Sequence, residues 1–139
     1  MLALAFLPLA LLPLLALLPA ALIVVTVHGN SMAPALLPGD RVLVLRRWAA
    51  RRFKRGDVVV ARVALPLGGR LLIKRIGALG GDRAVSRDQE IVLSEREVFL
   101  VGDHREASFD SRQYGAFPID VVIGRSIHHF PARRTADEH

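Results

Sequence analysis

The sequence predicts a mainly β protein: a small antiparallel β barrel or sandwich carried behind an N-terminal transmembrane helix. Three observations predict it. Residues 1–27 contain no charged side chain. Beyond them, short runs of Val, Ile and Leu alternate with turns rich in Gly, Pro and Asp. No later stretch carries the 3.6-residue apolar period of an amphipathic helix, and 139 residues suffice for one such domain.

Met1 to Val27 is dominated by Leu, Ala, Ile, Val and Phe. About 25 helical residues at roughly 1.5 Å each reach across a hydrocarbon core of about 30 Å, so the segment predicts a membrane anchor. Pro8, Pro13 and Pro19 would kink it, which membrane helices tolerate. A cleavable leader would start with Lys or Arg, and Met1-Leu2-Ala3-Leu4 has neither. Arg41, Arg46 and Arg47 follow the apolar stretch, where the positive-inside rule would hold them in the cytoplasm, but long domains largely escape that rule.

Strands are expected at Arg41–Leu45, Val58–Val63, Arg70–Ile76, Glu90–Leu93, Val98–Val101 and Val121–His128. Pro38-Gly39-Asp40, Gly56-Asp57 and Leu65-Pro66-Leu67-Gly68-Gly69 supply turns between them. The division is an anchor at 1–27, a β-rich domain at 28–130 and a polar, disordered tail at 131–139. No internal repeat is present.

Nineteen Lys and Arg against thirteen Asp and Glu leave a formal charge of +6, all of it after residue 27. A basic domain tethered to a bilayer is drawn to anionic headgroups. Nucleic-acid binding would require a recognisable module with interleaved aromatics, and there is none. The densest patch, Arg46, Arg47, Arg51, Arg52, Lys54 and Arg55 around Trp48 and Phe53, reads as a solvated or membrane-facing loop. The absence of cysteine excludes disulfides and thiol chemistry. His28, His128 and His129 have no ligand-like set around them, so no metal and no other cofactor is expected.

Two residues stand out chemically. Ser31 lies between Gly29 and the prolines Pro34 and Pro38, in a stretch that cannot continue a helix, and is therefore displayed on a loop. Lys74 sits in an apolar strand where Leu72, Lys74 and Ile76 share one face. Burial there disfavours the ammonium and turns the amine into a base. Taken alone, Ser31 also fits a surface turn, and Lys74 fits a side chain snorkelling from a strand edge.

Three blocks combine these residues. Gly29-Asn30-Ser31-Met32-Ala33-Pro34-Ala35-Leu36 with Pro38-Gly39-Asp40 is the first, and Lys74-Arg75-Ile76 running to Gly80-Gly81-Asp82 is the second. The third is Gly102-Asp103-His104-Arg105-Glu106-Ala107-Ser108-Phe109-Asp110-Ser111-Arg112-Gln113-Tyr114-Gly115. With Gly56-Asp57-Val58-Val59-Val60 they resemble, in the same order, the type I signal peptidases over most of residues 27–125.

The resemblance implies a Ser-Lys dyad, with Ser31 as nucleophile and Lys74 as general base. It implies that Ser108 orients the lysine, that Asp103, Arg105, Asp110 and Arg112 form bracing ion pairs, and that the Ser31 N–H serves the oxyanion. Relatives that add a hydroxyl two residues before the nucleophile have it where this chain has Gly29. Ala35 replaces a usual Thr and His104 a usual Asn, so a Ser31-His104-Asp triad is a competing arrangement. Met32 is a candidate for apolar contact with substrate or bilayer.

The implied substrates are preprotein signal peptides with small residues before the cut. The implied setting is a single-pass protein of the cytoplasmic membrane, monomeric, with its catalytic domain on the outer side. The alternatives are a dedicated maturation protease acting on one proprotein, and an inactive membrane-tethered β module that binds partners.

Overall fold

The apolar N-terminal stretch divides. In the computed structural model, which describes residues 3–50, 52–64 and 70–134, Ala3–Ala21 forms a helix (α1) and Leu22–Thr26 a strand (β1). The expected helix to Val27 is thus corrected. Ile23, Val24, Val25 and Thr26 are β-branched, lose side-chain freedom in a helix and suit a pleated surface. The ladder to the next strand, from Leu22 opposite Leu45 to Thr26 opposite Arg41, takes up their backbone groups. Among the described residues no helix is long and apolar enough to cross a membrane, so the expected transmembrane span is not found.

The strands that follow are β2 (Arg41–Arg46), β3 (Val58–Val63), β4 (Arg70–Leu79), β5 (Arg83–Ser86), β6 (Gln89–Val92) and β7 (Glu97–Val101). A one-turn helix, α2 (Ser111–Tyr114), precedes β8 (Phe117–Pro118) and β9 (Val122–Phe130). Seven strands make one antiparallel sheet in the order β1-β2-β9-β3-β4-β7-β8, and β5 with β6 makes a separate hairpin. The expected barrel does not close, because β1 and β8 remain at opposite edges and β8 offers only two residues for pairing.

Every expected strand in the described residues is present within a few residues. β1, β5 and β8 were not expected. β5 carries Arg83 and Ser86 among its four residues, too polar and short to show a period. The proposed turn at Leu65–Gly69 lies outside the described residues, as does Arg51.

One cluster packs Val59, Ala61, Val63, Ile76, Val98, Leu100 and Val122, and a second packs Val27, Met32, Leu36, Val42, Val44 and Val60. Alternate residues of β3 point into different clusters, so the sheet is buried on both faces there. Phe53 of the basic patch packs against the first cluster, while Trp48 is exposed. Residues 131–134 were expected in the disordered tail but hold onto Asp40, whose carboxylate accepts from the Ala132 N–H at 3.0 Å and the Arg134 guanidinium at 2.7 Å. Residues 135–139 lie outside the described ones.

Candidate active site

Ser31 sits on the loop that joins β1 to β2. The loop is closed at its base by Val27 N–H donating to the Asp40 carbonyl at 2.8 Å and Gly39 N–H to the Val27 carbonyl at 3.0 Å. The Asp40 carboxylate reaches back to accept from Leu37 N–H at 3.0 Å and also pairs with His129 at 2.7 Å. Burial raises the Asp40 pKa, but these partners together outweigh it and hold the carboxyl far below its usual range. Gly29 has φ +74°, a conformation natural to glycine.

Lys74 comes from the middle of β4 and is 4% exposed, on the same face as the buried Ile76. Its Nζ donates to Ser108 Oγ at 2.9 Å, and Ser108 Oγ donates to Asp110 Oδ2 at 2.6 Å. Asp110 is 2% exposed and also accepts from Gly102 N–H at 2.8 Å and from Arg112 Nη2 at 2.6 Å and Nε at 3.0 Å. The same aspartate caps α2, accepting from Arg112 N–H, while the Gln113 side chain accepts from Asp110 N–H. One residue therefore terminates the relay and starts the helix.

Burial lowers the Lys74 pKa; the Asp110 charge opposes this and the Arg112 charge adds to it. For Asp110 burial works upward, but the Arg112 guanidinium, the Gly102 N–H and Ser108 bring its pKa below the ordinary value. A lysine biased toward its neutral form suits a general base, while the ionised Asp110 opposes that bias and holds Ser108 as an acceptor for the amine.

The serine and lysine line one cleft of about 500 Å3, with Val24 to His28 of β1 and its loop on one wall and Leu71, Leu72 and Ile73 of β4 on the other. β1 and β4 are not neighbours in the sheet, so the cleft is a gap between two strands. The Ser31 carbonyl accepts from His104 N–H at 3.0 Å, tying the serine loop to the segment carrying Ser108. Gly102 lies between them: a Cβ there would collide with Ser108 Oγ and the Ser31 carbonyl.

Met32 lines the cleft but is 1% exposed, which makes it chiefly a core residue beneath the serine. Asp103 pairs with Arg75, in a two-pronged contact at 2.8 and 2.7 Å, and not with Arg105. Arg105 makes no ion pair among the described residues. Arg75 was legible only as a motif neighbour of Lys74; its pairing depends on which face of β4 it occupies. His104 enters through its backbone, and its exposed ring forms no hydrogen bond among the described residues, so the competing triad is not assembled. Among the described residues no group of three or more His, Cys, Asp or Glu could hold a metal ion.

Comparison with known proteins fits this geometry. The model of the family described as "Signal peptidase, peptidase S26" matches residues 1–98 and 84–130. The chain is 33% identical over 114 residues to mitochondrial inner membrane protease subunit 2 of Mus musculus, covering 76% of this chain and 65% of that one. It is 35% identical over 108 residues to mitochondrial ATP-independent inner membrane protease subunit 1b of Arabidopsis thaliana, covering 70% and 63%. With signal peptidase I U of Bacillus subtilis the identity is 26% over 133 residues, covering 70% of each chain. The chain thus spans just under two thirds of the length of the first two relatives. A family model matched over nearly the whole sequence, on a fold that carries Ser31 and Lys74 into one cleft, places this chain in the signal peptidase, peptidase S26, family.

Proposed function

We propose that this chain is a membrane-associated serine endopeptidase that removes signal peptides from exported preproteins, with Ser31 as nucleophile and Lys74 as general base. One observation carries the reading: Lys74 is buried, wired through Ser108 to Asp110, and lines the same cleft as Ser31.

Ser108 spends its own proton on Asp110 and so receives an N–H from Lys74, fixing the amine's rotamer. The neutral amine keeps its lone pair for the Ser31 hydroxyl. It takes that proton as the serine oxygen attacks the scissile carbonyl, then returns it to the departing amine. A water activated by the same amine hydrolyses the acyl-enzyme. The Ser31 N–H is the oxyanion donor, and Gly29 adds no side-chain partner.

The substrate enters as an extended segment between β1 and β4, adding a strand where the sheet leaves a gap. Val24, Val25 and Ile73 make apolar walls that suit small side chains beside the scissile bond. The exposed leucines of α1, Leu12, Leu14, Leu15, Leu17 and Leu18, supply the attachment to the bilayer, with the domain on its outer face. Two relatives are named as subunits, so the expectation of a monomer has no support from them.

A dedicated maturation protease is the second reading, favoured by the short β5–β6 hairpin that is all the chain places between the Lys74 strand and β7. The deciding experiment incubates detergent-solubilised protein with several unrelated preproteins and sequences the new N-termini. Cuts in all after small residues support the general reading, a cut in one supports the dedicated reading, and no cut together with no reaction toward a serine-acylating inhibitor defeats both.

A further inference from the structure

A second cavity, of about 740 Å3, lies away from the Ser31 cleft, between the β5–β6 hairpin and the main sheet. Phe99 and Val101 contribute to its floor; they point to the face of β7 opposite Leu100, which belongs to the core beside Lys74. Its remaining wall is dominated by guanidinium groups: Arg83, Arg87, Arg105 and Arg112. Asp88 is the one carboxylate among the lining residues.

The four arginines differ in what they have left to donate. Arg83 is paired with Glu90 at 2.7 Å and Arg112 with Asp110 at 2.6 Å. Arg87 spends Nε on the Gln113 carbonyl at 2.6 Å, and its backbone N–H donates to the Arg112 carbonyl at 2.9 Å. These bonds hold its side chain against α2 while its terminal nitrogens pair with no carboxylate among the described residues. Arg105 makes neither an ion pair nor a side-chain hydrogen bond among the described residues. The cavity thus presents two guanidinium groups outside any ion pair among the described residues, with Asp88 the one opposing carboxylate, over an apolar floor. A concavity of predominantly positive charge with low-dielectric walls concentrates anions, and a guanidinium fork matches the oxygens of a phosphate group two at a time.

We propose that this cavity is a binding site for a phosphate-type oxyanion, taken by Arg87 and Arg105 over the Phe99 and Val101 floor. The site does not depend on the peptidase reading, since neither arginine belongs to the Ser31–Lys74 arrangement.

Isothermal titration calorimetry on the full chain in zwitterionic micelles, at constant ionic strength, tests it. Inorganic phosphate is titrated first, then soluble short-chain phosphatidylglycerol, with the matching phosphatidylcholine as control. Saturable binding of one phosphate is expected, weakened about tenfold or more in Arg105→Ala and in Arg87→Ala, and unchanged in Arg62→Ala, an exposed arginine on β3. Arg105→Ala removes no ion pair and no side-chain hydrogen bond found among the described residues, so it decides the matter if Arg87→Ala fails to fold. Binding of phosphatidylglycerol that is lost in the same variants assigns the site to a lipid headgroup; binding of inorganic phosphate alone assigns it to a soluble anion. Non-saturable heats, or equal affinity in the wild type and Arg105→Ala, overturn the proposal.

Discussion

The Lys74 amine and the Ser108 hydroxyl stand 2.9 Å apart, with the Ser108 proton directed onto Asp110 at 2.6 Å. This order makes Ser108 an acceptor toward lysine, and it ties the basicity of the amine to a carboxylate it does not touch. Five predictions follow the contact outward.

Ser31→Ala and Lys74→Ala each remove a reacting group. Cleavage is expected to fall by at least about 10^3-fold in kcat, with circular dichroism unchanged for Ser31→Ala because Ser31 lies on a loop. Folded variants that keep more than a tenth of the activity would defeat the dyad.

The activity of the wild type is expected to rise with pH, with the midpoint of the rise below the ordinary lysine value of about 10.4. The sign follows from burial: the buried site disfavours the ammonium, so the amine becomes neutral, and active, at lower pH than a free lysine. A pH profile of kcat/KM whose rising limb lies at or above that value contradicts it.

Asp110→Asn removes the charge that works against Lys74 deprotonation. The rising limb should therefore move to lower pH, while kcat drops by roughly 10–10^2-fold as Ser108 loses its ionic acceptor. Unmoved pH dependence would separate Asp110 from the relay.

Gly102→Ala forces a methyl into the space held by Ser108 Oγ and the Ser31 carbonyl. We expect a loss of about 1–3 kcal/mol in stability from overpacking and a larger proportional loss of kcat than of substrate affinity. Gly29→Ala meets nothing near the added methyl but strains a backbone held at φ +74°, so it should cost about 1–2 kcal/mol in stability without displacing Ser108. Thermal melts and initial rates read the contrast.

Asp40→Asn weakens the clasp that joins Leu37 of the serine loop to His129, Ala132 and Arg134. A loss of about 1–3 kcal/mol is expected on denaturant unfolding. Because the folded-state pKa of Asp40 is depressed, its contribution is present above the unfolded value and is lost as pH falls through the folded one. The gap between wild type and variant should close in strong acid; a gap constant down to that range rules the clasp out.

Much of this was readable along the chain. The position of Lys74 on an apolar face is a matter of strand parity, which needs only its neighbours Leu72 and Ile76. Ser31, Ser108, Asp110 and Arg112 were legible as blocks in a fixed order. The switch from α1 to β1 was not, because Leu22–Val25 is as apolar as the helix before it, and its β-branched residues extend where the edge of β2 takes up their backbone groups. Arg105 was expected to brace the site, yet Arg75 does so, since the partner of Asp103 is whichever guanidinium β4 carries to that side.

By itself the sequence determined what is periodic or contiguous: six of the strands, the loop that displays Ser31, the apolar face that Lys74 shares and the lack of cysteine chemistry. Tertiary structure alone decided which edges stay open, that Asp40 holds the chain's last described residues, and that four arginines gather around the cavity at the β5–β6 hairpin. The reason is physical. Backbone conformation and side-chain alternation act over a few bonds, whereas ion pairs and clefts form between residues that only the folded sheet brings within a few ångströms.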